Sequence, residues 1–100
     1  MAIEWYWALA QMLAKTGVDI NDVFDMVNAW QSGRRRVRLE RAIDPATGLG
    51  SFVIWGRTDK GRAVAVYARH TGRDIYIYDA TYLNTEQTAL FESWEATRND

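Results

Sequence analysis

The chain has no cysteine and a single histidine. Without cysteine there are no disulfides, no thiolate nucleophile and no cysteine-ligated zinc or iron–sulfur centre. With His70 as the sole imidazole, histidine-based metal sites lack ligands. No metal and no cofactor is therefore expected. The longest fully apolar run, Trp5-Tyr6-Trp7-Ala8-Leu9-Ala10, is far shorter than the roughly 20 residues that span a bilayer. The opening Met1-Ala2-Ile3-Glu4 lacks the basic segment of a signal peptide. A soluble, cytoplasmic protein with no membrane partner is the expectation.

What is present suits one globular domain over residues 1–100. Apolar residues make up 48% and charged residues 25%, an ordinary globular balance rather than a disordered one. The net charge of −1 hides a segregation. Residues 33–73 carry ten Lys/Arg against Glu40, Asp44 and Asp59, a balance of +7. Residues 1–32 carry −3 and residues 74–100 carry −5. The middle is basic and both flanks are acidic.

The spacing predicts a first helix over residues 2–16. Its polar positions Glu4, Ala8, Gln11 and Lys15 form one narrow stripe, so the helix is apolar around most of its circumference. Trp5 and Trp7 lie on opposite flanks and are candidate interface residues, for a homodimer or for a partner protein. Gly17 stops the helix. Asp19 caps a second helix, with Val23, Val27 and Trp30 on one stripe, ending at Ser32-Gly33. Four strands follow, over residues 34–41, 51–57, 63–69 and 74–80, joined by turns at residues 44–48, 59–61 and 71–72. Short successive loops imply an antiparallel meander. Asn84 caps a last helix, with Gln87 completing a capping box and Leu90, Phe91 and Trp94 as its buried edge. Thr97–Asp100 should fray. The expected fold is α+β in the order ααββββα, with the helices on one face.

Period-two alternation assigns the other sheet face to arginines and aromatics: Arg36, Arg38, Trp55, Arg57, Tyr67, Arg69, Tyr76 and Tyr78. Guanidinium groups bind phosphate and rings stack bases, so unpaired RNA is the ligand such a surface suits. The same alternation also describes a merely solvated face. Among possible proton carriers, His70 ends the third strand and points away from Arg69. Glu40 lies on the arginine face, as a base or as a charge partner of Arg38.

The run from Lys15 to Phe24 resembles the opening of BrnT-type toxins, which belong to the broader RelE/ParE-like toxin superfamily. Gly56-Arg57-Thr58-Asp59-Lys60-Gly61-Arg62 looks like that family's G-R-T-x-x-G-R hairpin, and Ile75–Ala80 falls where the family has I-R-I-I-S-A-R. The departures are Thr16 for the family's histidine, Tyr76 and Thr81 for two arginines, and Asp79 for its serine. The resemblance implies a RelE-like fold and a metal-independent ribonuclease that arrests growth and is neutralised by a cognate antitoxin. The 2′-hydroxyl would attack the adjacent phosphate, with Arg57 stabilising charge and His70 or Glu40 moving protons. Arg57 and Arg62 match the motif itself. Arg36, Arg38, Arg69 and Arg73, with Trp55, Tyr67, Tyr76 and Tyr78, are RNA-binding candidates from charge and alternation alone. The rival reading is a catalytically inactive relative that binds another protein through the first helix or the sheet face.

Overall fold

The computed structural model describes residues 2–43 and 47–97. The turn expected at residues 44–48 and the fraying expected at 97–100 fall largely outside them. The elements are β1 (Ile3–Trp5), α1 (Leu9–Thr16), α2 (Ile20–Gln31), β2 (Arg38–Ile43), β3 (Gly50–Arg57), β4 (Ala63–Thr71), β5 (Asp74–Tyr82) and α3 (Thr85–Ala96). The strands form one mixed sheet in the order β1-β5-β4-β3-β2. From β2 to β5 it is the antiparallel meander the turns predict.

The first helix is shorter than its pattern suggests. Residues 3–5 are a strand, paired parallel to β5 with Ile3 beside Ile75 and Trp5 beside Ile77. Nothing in this stretch marks a helix start. Ala8 occupies the N-cap of α1 without a side-chain hydrogen bond, and the first turn holds no acid. An apolar run this short is ambiguous between helix and strand, and the open edge of β5 decides it by supplying backbone partners. Trp5 then packs edge-on against Phe24, with ring centroids 4.9 Å apart, whereas Trp7 is 86% exposed. The other ends follow their signals. Gly17 takes a left-handed φ of 81°, Asp19 accepts from the Asn21 N–H, and Asn84 and Gln87 form both halves of a capping box.

The helices do not share one face, which corrects the expected layering. α1 and α2 pack on the face carrying Phe52, Ile54, Val64, Val66, Ala68, Ile75 and Ile77, and this side holds the main core. α3 crosses to the opposite face and sets Phe91 and Trp94 against Trp55 and Ala65. The reason lies in that second face. Trp55, Val53 and Ala65 make it apolar enough at one end to need a cover. A bulge at Tyr67/Ala68 opposite β5 shifts the alternation, so that Ala80 and Tyr82 join the face of Ile75 and Ile77.

Residues 34–37, expected in the first strand of the meander, form a loop. Gly33 turns with φ 74°, and the Arg34 and Arg35 N–H groups cap α2 by donating to the Ala29 carbonyl. The Arg35 guanidinium reaches across to the Thr58 carbonyl and to Asp59, at 2.8 Å from its carboxylate. That side chain holds the loop against the β3–β4 turn and keeps it out of the ladder.

Candidate functional site

Where α3 covers the sheet, a cleft of about 570 Å³ opens between the α2–β2 loop and the helix. Its walls are Gly33, Arg34, Arg35, Arg36 and Arg57 on one side and Phe91, Trp94 and Glu95 on the other. Four arginines thus line the cleft together with one carboxylate and two aromatic residues. The volume lies within the ordinary range for a small-molecule or nucleotide-sized site. Phe91 is fully buried, and its ring stacks on that of half-buried Trp94 at 5.6 Å and 16°.

Arg57 and Arg35 help to hold the scaffold. Arg57 grips Glu95 bidentately, with Nε to Oε2 and Nη2 to Oε1 both 2.8 Å. Its Nη1 donates to the Gly61 carbonyl at 2.8 Å, and its guanidinium lies 5.4 Å from the Phe91 ring. The Glu95 hydrogen bonds raise the Arg57 pKa further, so it stays charged. Arg35 is bound to the β3–β4 turn as described. Arg34 is exposed and enters the cleft from a loop, and Arg36 joins it there.

The residues expected to form one RNA surface are distributed over the molecule. Arg36 lines the cleft. Arg38 lies beside it in β2, with its guanidinium 4.6 Å from the Trp55 ring. Trp55 is 6% exposed, pressed beneath α3, so its ring offers no free face to a base. Tyr67 packs against the Trp55–Ala65–Phe91 cluster, and half-buried Arg69, Tyr76 and Tyr78 lie beyond it on the same face. There Arg69 sits 5.5 and 5.0 Å from the Tyr76 and Tyr78 rings. Arg73 lies exposed in the β4–β5 turn. Arg62 belongs to another network, donating to the Tyr82 hydroxyl at 3.1 Å and pairing with Asp22 at 3.4 Å.

The three catalytic candidates do not converge. His70 packs on Phe52 at 4.9 Å, on the face of α1 and α2. Arg57 projects to the opposite face, where α3 packs. Arg57 pairs with Ala63 and His70 pairs with Ile75. Seven residues along β4 separate these positions, roughly 23 Å at strand rise. Glu40 forms a 3.0 Å ion pair with Arg38 on exposed β2. Sequence reading missed the cleft's second wall. Phe91 and Trp94 carry an i, i+3 signal that reads equally as the buried edge of a helix, and only the crossing of α3 to the far face turns it toward the arginines. Arg34-Arg35-Arg36 was legible as a basic run, but a strand reading splits it between two faces.

No family model matches the chain, and no curated protein or solved structure is significantly similar to it. Among the described residues, no helix is long and apolar enough to cross a membrane, and no cluster of His, Asp or Glu could hold a metal ion.

Proposed function

We propose that the protein binds single-stranded RNA, with a phosphate held by Arg34 and Arg36 and a neighbouring base against Trp94. The observation that carries this reading is that four arginines and Trp94 line one nucleotide-sized cleft. Guanidinium recognises phosphate by charge and paired donors, and an indole face accepts any base. Single strands suit it better than duplex, because only splayed bases reach an aromatic wall. The resemblance to BrnT-type toxins points to the same ligand and adds growth arrest on expression.

The test is fluorescence anisotropy with labelled single-stranded RNA across a salt series. Affinity should fall with salt, and Arg34→Ala or Arg36→Ala should each lower the log–log slope by about one unit. Trp94→Ala should weaken binding by about 1–3 kcal/mol without changing that slope. Absence of binding at low salt overturns the proposal. Trp7, at 86% exposure beside Tyr6, favours a second reading, a protein partner such as an antitoxin. A partner whose binding is lost in Trp7→Ala and kept in Arg36→Ala would support that reading.

A further inference from the structure

We propose that β2 pairs antiparallel with β2 of a second copy of this chain, with the two-fold axis at Leu39. β2 is the outermost strand of the sheet, and all its residues but Arg38 are exposed. It pairs with β3 without a bulge over residues 38–43, so its free side is a regular edge. Such an edge is a template for another strand unless charge or covering blocks it. Leu39 stands 53% exposed on it, at the centre of residues 38–40. Leu39 also borders a shallow hollow of about 190 Å³, with Trp30, Arg41, Phe52, His70 and Ile75.

Charge identifies the occupant. Arg38 and Glu40 flank Leu39 and share the face opposite to it, where they pair within the strand at 3.0 Å. A two-fold axis perpendicular to the sheet keeps each face on its own side, so opposed residues have the same facing. Centred on Leu39, it sets Arg38 opposite Glu40 of the second copy twice over, and Leu39 opposite Leu39. Centred on Arg38, Glu40 or Arg41 instead, it sets that residue against its own like charge, which is unfavourable for a cross-strand pair. The order Arg-Leu-Glu is therefore self-complementary in one register. A second copy of the chain satisfies it without any further partner. The pairing rests on β2 alone and is independent of the RNA reading.

Sedimentation equilibrium tests it. Wild type should show a monomer–dimer equilibrium in the micromolar range. Glu40→Arg and Arg38→Glu should each raise the dissociation constant about tenfold or more, because each converts both cross-strand pairs to like charges. Mixing the two variants should restore a dimer, since one chain then carries arginine at both positions and the other carries glutamate at both. Should Arg38→Glu unfold the domain through its contact with Trp55, Leu39→Asp takes its place and should be monomeric, as it sets two carboxylates on the axis. Circular dichroism confirms folding of each variant. A wild type that stays at the 11.5 kDa monomer mass up to about 0.5 mM overturns the proposal. Undiminished dimerisation of Glu40→Arg also overturns it.

Discussion

At Gly56 the Met26 side chain of α2 presses directly on the sheet backbone. A Cβ built there would meet Met26 Cγ and Sδ at 2.9 Å and Val37 Cγ1 at 3.0 Å. Its neighbours in the same hairpin also have structural work. Arg57 anchors α3 through Glu95. Thr58, 1% exposed, donates its N–H to the Arg62 carbonyl, and its hydroxyl accepts from the Arg62 N–H. Gly61 takes φ 83°. Gly56, Arg57, Thr58 and Gly61 of this hairpin thus each have a folding role. Gly56→Ala should destabilise the domain by about 1–3 kcal/mol, as overpacking of a filled interior does. Urea melts measure it, and an unchanged midpoint would show that Met26 can move aside.

Between elements, side chains do much of the joining. Asp25 of α2 accepts the Asp59 N–H at 2.6 Å, which ties that helix to the β3–β4 turn. This backbone hydrogen bond holds the Asp25 carboxyl below its ordinary value of 3.8, with Arg34 and Arg35 adding to the effect. A carboxyl with a depressed folded pKa contributes its stabilisation in full above the unfolded value and loses it as pH falls through the folded value. Asp25→Asn should therefore be less stable than wild type at neutral pH. The gap should narrow as the pH drops below about 4. Chemical melts at several pH values check this, and a gap of constant size across the series would remove Asp25 from the acid response. On the other face α3 depends on similar cross-links, the Arg57–Glu95 pair and the Phe91 ring against Trp55.

Over the whole molecule, folding brings opposite charges together that the chain keeps apart. The basic middle meets both acidic flanks, as Arg62 pairs with Asp22 and Arg57 with Glu95. A sequence balance of +7 in residues 33–73 thus overstates the positive surface that the fold presents. The same scale bears on catalysis. His70 and Arg57 lie on opposite faces, and Glu40 is held by Arg38, so these candidates place no donor and acceptor of protons around one phosphate. Purified protein should bind RNA without cutting it, and gel analysis of RNA integrity over hours should show intact substrate. Cleavage that disappears in His70→Ala would restore the histidine to a catalytic role.

Local physics made much of this protein legible from its residues. Gly17, Asp19 and Asn84 announce helix ends because a left-handed backbone and an orphan N–H each demand a particular side chain. Alternation separated Ile75 and Ile77 from Tyr76 and Tyr78 because successive side chains on a pleated strand point to opposite faces. What the sequence left open was decided by partners remote along the chain. Residues 3–5 became a strand because β5, far along the chain, had an unpaired edge. α3 chose the far face because Trp55 and Ala65 needed covering there. That choice also made the cleft, by carrying Phe91 and Trp94 to an arginine loop much earlier in the chain. Capping and pleating are satisfied within a few residues, whereas burial and edge pairing are satisfied by whatever surface the rest of the fold supplies.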